Sequence, residues 1–243
     1  MTDVVFDAVS VCTPGGRLIL EDFALEIASG ESVALVGPSG GGKTTALKLV
    51  NALRLPTAGA VRVGGRPTTA WDPIALRRKT GWVIQEVGLF PHRTIAQNVA
   101  TVPDISGWAP ARVQARVREL LDLVGLAPEE YGDRYPHELS GGQRQRVGVA
   151  RALAADPPLV LLDEPFAALD PVTRFALGTE FRALQRQLMR TALFVTHDLR
   201  EAVRVADRVA VVADGRVRLS LTPSEIPTCN DVVVRALRQA SGL

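Results

Sequence analysis

The stretch Ser32-Val33-Ala34-Leu35-Val36-Gly37-Pro38-Ser39-Gly40-Gly41-Gly42-Lys43-Thr44-Thr45 runs from a short apolar segment through glycines into a helix-like pattern that reaches about Leu53. An uncharged run of that length, closed by glycine, reads as a buried strand. The loop after it, Gly37 to Thr44, fits G-x-x-x-x-G-K-T, in which residues without side chains let successive backbone amides turn inward around phosphate oxygens. Lys43 is placed to neutralise β and γ phosphates, Thr44 to offer its hydroxyl to Mg²⁺, and the helix starting here to aim its positive end at the anion. A flexible Gly-Ser turn has a similar composition. The strand before and the helix after decide for a phosphate loop made of Gly37, Pro38, Ser39, Gly40, Gly41, Gly42, Lys43, Thr44 and Thr45.

Farther along, Leu159-Val160-Leu161-Leu162 delivers Asp163 and Glu164 at its carboxyl end, just before Pro165. Ligands of open α/β sheets gather outside such strand ends. Adjacent acids beside an apolar core are costly, on the order of several kcal/mol for an unpaired charge, and a bound cation removes the cost. Asp163 is therefore expected to hold Mg²⁺ through water, and Glu164 to polarise an attacking water. Solvated acids at a strand exit are the plainer alternative, and the glycine loop argues against it. These two motifs describe a P-loop nucleotidase and no more, because mechanically different families share them.

Outward from this core, Thr191 to Val195 and Val209 to Val212 are further buried-strand candidates separated by helical patterns, as in parallel-sheet units. Near the N-terminus, Val4-Val5-Phe6 and Leu18-Ile19-Leu20 flank a Thr13-Pro14-Gly15-Gly16 turn, and Phe23 to Ile27 alternates apolar with polar, an antiparallel opening. Between roughly 94 and 155, Val113, Val117, Leu120, Leu121 and Val124 recur at helical spacing after Pro110, and Gly125 closes the helix. The expected fold is α/β: a mostly parallel core sheet flanked by helices, an N-terminal antiparallel β subdomain and an inserted helical subdomain. One domain is expected over 1–243, with the core in 1–93 and 156–243 and the helical part in about 94–155. A short amphipathic helix is expected around Val232 to Leu237.

With 243 residues, 47% of them apolar, the chain can bury a real core, and a net charge of +2 is too small for wrapping nucleic acid, so no such partner is expected. Cys12 and Cys229 show no metal spacing and read as free thiols in a reducing compartment. Asp3 and Asp7, with no long apolar run behind them, argue against a secretory signal. No run of about 18 apolar residues occurs, so any membrane role is expected to come through a partner.

Leu139-Ser140-Gly141-Gly142-Gln143-Arg144-Gln145-Arg146 resembles the signature of ABC ATPases, about twenty residues before Asp163 as that family requires. Gln85, after Trp82-Val83-Ile84, resembles the Q-loop glutamine; Ala168-Leu169-Asp170 resembles the D-loop; His197, after Phe194-Val195-Thr196, resembles the switch histidine. The resemblance covers nearly the whole chain, with six motifs in family order. Taken singly, His197 reads as a structural histidine and Gln85 as a surface glutamine, and the company of the other motifs decides.

The resemblance implies roles. Glu164 acts as general base or orients the water, His197 contacts the γ-phosphate, and Gln85 reaches Mg²⁺ and the water. Ser140, Gly141, Gly142 and Gln143 begin a helix and so form a second anion-binding surface, which the family fold places far from the same chain's phosphate loop. A second copy must then complete each site: a homodimer, head to tail, forms on ATP binding, and Asp170 carries information across its seam.

Two departures stand out. The family commonly has an adenine-stacking aromatic residue in the first strand-turn segment, and Thr13 occupies that position, so a contact worth about 1 to 3 kcal/mol is missing. Ala167 stands where serine is common, a change expected to be tolerated.

Gln85 to Ile95, with Asn98 to Pro103, Trp108, and Val147 to Pro157, looks like the ATPases of quaternary-amine importers, which take up glycine betaine, carnitine or choline. Within it, Leu89, Phe90 and Pro91 read either as core or loop-rigidifying residues or as a permease-docking surface. The resemblance implies integral-membrane permease subunits, an extracytoplasmic solute-binding protein, and a place on the cytoplasmic face of the membrane. Many such ATPases carry C-terminal sensing modules; with Leu243 about 45 residues past His197, none is expected here. The alternatives are an ABC ATPase serving an amino acid, lipid or export system, and a non-transport ABC protein. The latter usually carries a long coiled coil or two fused ATPase units, and neither is read here.

Overall fold

The computed structural model describes residues 2–85, 87–167 and 169–242. Its strands are β1 (Val4–Cys12), β2 (Leu18–Ile27), β3 (Ser32–Val36), β4 (Ala58–Val63), β5 (Arg66–Pro67), β6 (Thr80–Val83), β7 (Leu159–Asp163), β8 (Thr191–Val195), β9 (Arg208–Ala213) and β10 (Arg216–Leu221). Its α-helices are α1 (Lys43–Val50), α2 (Pro73–Arg78), α3 (Ile95–Ile105), α4 (Pro110–Leu123), α5 (Pro128–Tyr131), α6 (Gly141–Leu153), α7 (Pro171–Leu188), α8 (Leu199–Val205) and α9 (Val232–Ser241).

The strands form two sheets. One has the order β10-β9-β3-β8-β7-β6 and is parallel except at β10; the other is antiparallel, in the order β2-β1-β4-β5. Parallel strands are covered on both faces, which explains why β3, β7 and β8 are buried along their whole length. Alternation then divides the core in two. Ala34, Val36, Val160, Leu162, Ala192 and Phe194 face a cluster that includes side chains of α3, α4, α6, α7 and α8. Val33, Leu35, Leu159, Leu161, Leu193 and Val195 face α1 and the antiparallel sheet, where Phe6 and Phe23 meet edge to face at 5.2 Å.

Only helical elements occur between β6 and β7 among the described residues. Helix α3 starts from a capping box in which Thr94 and Gln97 satisfy each other's backbone N–H. Pro110 opens α4, which buries Val113, Val117, Leu120 and Leu121. Asn98, fully buried in α3, accepts from the Phe90 N–H at 2.7 Å and donates to the carbonyls of Phe90, Arg93 and Thr94, pinning the segment after β6 onto the helical region.

Some boundaries differ from the sequence reading. The helix after the glycine loop stops at Val50, not near Leu53, because the N–H groups of Leu53 and Arg54 both turn back to the Lys48 carbonyl. Strands β1 and β2 are longer than their apolar cores suggest; register shifts in their ladder absorb left-handed residues at Ala8 (φ 46°) and Asp22 (φ 48°). Strands β4 and β10 are not anticipated, and α9 extends to Ser241.

Parallel register does the positioning. Leu35 and Asp163 both lie opposite Val195, so the carboxyl ends of β3, β7 and β8 open onto one edge. The glycine loop, the paired acids and His197 all follow those ends.

Candidate functional site

The glycine loop is held by what a side chain would strike. A Cβ at Gly37 (φ 151°) would lie 1.9 Å from the Val212 carbonyl oxygen, and one at Gly42 (φ 89°) would lie 2.4 Å from Leu20 Cδ2. The loop is thus seated on β9 and β2 by contacts that only glycine permits. Lys43 folds back over it, donating from Nζ to the carbonyls of Gly37 at 2.9 Å and Pro38 at 2.8 Å. Burial lowers the Lys43 pKa from its ordinary value, against the pull of Glu164 and Asp163.

Thr44 donates its hydroxyl to Asp163 Oδ1 at 3.1 Å, bridging the start of α1 and the end of β7. Asp163 is 4% exposed, and burial raises its pKa while the Thr44 hydroxyl opposes the rise. A carboxylate so enclosed, with one hydroxyl on one oxygen, is an incomplete donor set for a hard cation. Glu164 leaves β7 in a left-handed conformation (φ 47°), its N–H bonded to the Val195 carbonyl at 2.9 Å. That turn brings its Oε2 to 3.4 Å from His197 Nδ1. Both side chains retain solvent access, 23% for Glu164 and 62% for His197.

His197 lies in the turn between β8 and α8. Buried Thr196 donates its hydroxyl to Glu201 Oε2 and accepts from the Asp198 N–H at 3.1 Å, while Asp198 caps α8 by accepting from the Arg200 N–H at 2.9 Å. The sequence reading named Thr196 only as the residue before His197 and passed over Asp198 and Glu201. The Asp immediately before a helical pattern is the cue that marks the turn as capped.

The start of α6, read from the sequence as a second anion-binding surface, is not bonded to the glycine loop among the described residues. Ser140 caps α6, its Oγ accepting from the Gln143 N–H at 3.2 Å while Gln143 Oε1 accepts from the Ser140 N–H at 2.9 Å. Ser140 is exposed, and no hydrogen bond or ion pair among the described residues joins 140–143 to 37–45. Asp170 caps α7, accepting from the N–H groups of Val172 (3.1 Å) and Thr173 (3.0 Å), bonds that lower its pKa. Ala168, read with Asp170 as part of one loop, and Glu86, next to Gln85, lie outside the described residues. Gln85 itself is exposed in the turn after β6. Thr13 sits in the β1–β2 turn, bonded through its N–H to the Arg17 carbonyl at 2.8 Å; that turn leads directly to Ile19 and Leu20, the residues packed on Gly42.

The structure therefore gathers Lys43, Thr44, Asp163, Glu164 and His197 on one edge. No hydrogen bond or ion pair among the described residues joins any of them to Gln85 or to the Ser140 helix start.

Residues 20–167, more than half the chain, match the family described as ABC transporter. The chain is 51% identical over 220 residues to the glycine betaine/carnitine/choline transport ATP-binding protein OpuCA of Bacillus subtilis, covering 90% of this chain and 58% of that protein. It is 50% identical over 223 residues to the choline transport ATP-binding protein OpuBA of the same organism, covering 92% of this chain and 58% of that one. The chain thus spans 58% of the length of these relatives. It also superposes on the dimeric, post-hydrolysis structure of the ATP-binding cassette MJ0796 bound to ADP and Pi, with a TM-score of 0.83 and 32% identity over 90% of this chain and 98% of that one.

Proposed function

The chain belongs to the ABC transporter family, and on that footing we propose that it is the ATP-hydrolysing subunit of an importer, working as a homodimer beneath a membrane-embedded permease. The observation that carries this is the continuous polar edge from Lys43 through Thr44 and Asp163 to Glu164 and His197, with contacts of 3.1 Å and 3.4 Å along it.

In this reading Gly37 to Thr45 cradle the triphosphate, and Lys43 exchanges its two loop carbonyls for phosphate oxygens. Thr44 and Asp163, with Gln85 from the neighbouring loop, would hold Mg²⁺. Among the described residues no three His, Cys, Asp or Glu side chains are placed to hold a metal ion together, so such an ion would draw most of its oxygens from phosphate and water, as Mg²⁺ prefers. Bound there, the ion would neutralise charge on the β and γ phosphates. Glu164 accepts a proton from, or orients, the attacking water, and His197, beside it, contacts the γ-phosphate. Ser140, Gly141, Gly142 and Gln143 supply their helix start to the partner copy's triphosphate, and Asp170 lies at the seam. The separation of 140–143 from the chain's own phosphate loop supports a site completed by two copies.

A single domain over 1–243, with the helical subdomain at about 94–155, accommodates these parts. The segment between β6 and α3, beside the helical part, presents the docking face for the permease: Leu89 packs against the core, whereas Phe90 and Pro91 are exposed beside a groove of about 380 Å³ lined by Gly88, Phe90, Val102 and Arg151. No helix among the described residues is long and apolar enough to cross a membrane, so attachment to the cytoplasmic face is assigned to that docking. The cargo is assigned to the quaternary amines, glycine betaine, choline or carnitine, delivered by a solute-binding protein outside; the identity to OpuCA and OpuBA supports this. Purifying the chain with its native permease and measuring uptake of radiolabelled betaine and choline tests the assignment. ATP-driven uptake of neither amine would overturn the cargo while leaving the ATPase intact.

A further inference from the structure

Arg174, in the first turn of α7, bridges two loops. Its Nη2 donates to the Leu169 carbonyl at 3.1 Å and reaches the Ala167 carbonyl at 3.5 Å, while Nη1 lies 3.9 Å from Asp198 Oδ2. Ala167 and Leu169 belong to the segment that ends in Asp170. Asp198 adjoins His197, and its N–H rests on Thr196 Oγ1 at 3.1 Å, so the two residues flanking His197 are tied to each other. A guanidinium is suited to this place because its planar fork serves carbonyls and a carboxylate at once. The two helices are further fastened where Arg204 of α8 lies over the Phe175 ring of α7, 3.9 Å from its centroid.

We propose that Arg174 is a positioning residue for hydrolysis: by tying the carbonyls of Ala167 and Leu169 to Asp198, it sets where His197 stands relative to Glu164. The inference rests on the ATPase reading above. Because that reading places Asp170 at the seam with the second copy, Arg174 makes the geometry of the Glu164–His197 pair depend on contact with the partner. Misplacement of a reacting group by about 1 Å costs on the order of a hundredfold in rate, so a strut of this kind acts on turnover more than on nucleotide binding.

The test is steady-state ATP hydrolysis by the full chain in four forms: wild type, Arg174→Met, Asp198→Asn, and both changes together. Asparagine keeps the side-chain oxygen that caps α8 and removes the charge that faces both Arg174 and Arg200, whose Nε lies 3.6 Å from Asp198 Oδ1; the double variant isolates the share that belongs to Arg174. Expected are a fall in kcat of about tenfold or more for Arg174→Met, KM for MgATP within about twofold of wild type, and a smaller fall in the same direction for Asp198→Asn. The double variant should be no slower than the slower single one, the non-additivity of a shared contact. An undiminished kcat in either single variant, losses that multiply in the double one, or a KM that rises in step with the loss would overturn the proposal. Should Arg174→Met fold poorly, the milder Asp198→Asn decides by the same criteria. A wild-type chain that neither binds nor hydrolyses MgATP would instead sink the ATPase reading on which all of this stands.

Discussion

His197 Nδ1 stands 3.4 Å from Glu164 Oε2, although the two residues leave different strands. The approach depends on Glu164 adopting φ 47° and on its N–H reaching across to the Val195 carbonyl. A non-glycine residue in that region costs on the order of 1 to 3 kcal/mol, and such strain persists where the surroundings over-determine it. Here β7, β8 and the cap on α8 do so.

Replacing Glu164 by glutamine keeps the shape and removes the carboxylate proposed as the base. Hydrolysis should fall by about 10² to 10⁴, the usual contribution of a positioned proton acceptor. ATP binding should survive, so with saturating MgATP the variant should elute as a dimer in size-exclusion chromatography. Elution only as a monomer would count against the two-copy site.

The glycines of the phosphate loop should divide by what surrounds them. Gly37→Ala forces a Cβ to within 1.9 Å of the Val212 carbonyl and should cost at least about 2 kcal/mol through overpacking and backbone strain. Gly40 (φ 80°) has open space where its Cβ would be, so Gly40→Ala should cost only the conformational penalty of about 1 kcal/mol. Urea titration of the two variants, read by far-UV circular dichroism, compares them directly.

The difference between those glycines marks where sequence stops being informative. The turn from Gly37 to Gly42 is legible because a backbone that packs this closely on β9 and β2 leaves its trace in composition, as glycine. The bounds of β8 were legible because a strand buried on both faces is an uninterrupted apolar run. By contrast, Glu164 and His197 meet through the register that sets Asp163 against Val195, a tertiary fact with no local signature. Strand β4, Ala58 to Val63, is half small residues and carries almost no periodic signal. Arg174 is one of 28 basic residues, and nothing in its neighbours along the chain distinguishes a strut from a solvated charge. Asn98 looks like any polar residue in a helix until its buried amide is seen fastening the segment after β6.

Gln145 offers a test of stability rather than turnover. It is 1% exposed on α6, and neither Oε1 nor Nε2 finds a partner among the described residues. Its neighbours one turn to either side pack on other loops: a Cβ at Gly142 would meet Leu169, and one at Gly148 would meet Val87. A buried amide without partners costs about 1 to 3 kcal/mol. Gln145→Met, nearly equal in volume, should therefore raise the stability of the nucleotide-free chain by about 1 to 2 kcal/mol, measured by denaturant unfolding.

Thr13→Tyr should restore a ring where the family stacks adenine. Base stacking of about 1 to 3 kcal/mol corresponds to between roughly fivefold and 150-fold tighter ATP binding. Titration with MgATP by calorimetry, using Glu164→Gln as background to suppress hydrolysis, reads the change. An unchanged affinity would mean that the β1–β2 turn does not reach the base.

Glu201 should give the stability of the chain a pH dependence of its own. It is 8% exposed, and burial pushes its pKa from the ordinary 4.5 up to about 7, with the Thr196 hydroxyl and Arg174 opposing. Below pH 4.5 the group is protonated in both folded and unfolded chains and contributes no difference. Between pH 4.5 and about 7 the unfolded chain releases the proton while the folded chain keeps it, so stability falls as pH rises. The loss is complete above about pH 7 and amounts to roughly 3 kcal/mol, at 1.36 kcal/mol for each tenfold step in proton concentration. Glutamine at this position keeps an acceptor for Thr196 and has no charge to desolvate. Glu201→Gln should therefore match wild type near pH 4 and exceed it at pH 8, by several degrees in Tm for a chain of this size. Thermal unfolding of both forms across that range checks the sign: a variant less stable than wild type at pH 8 would show that Glu201 is ionised and paired in the folded chain.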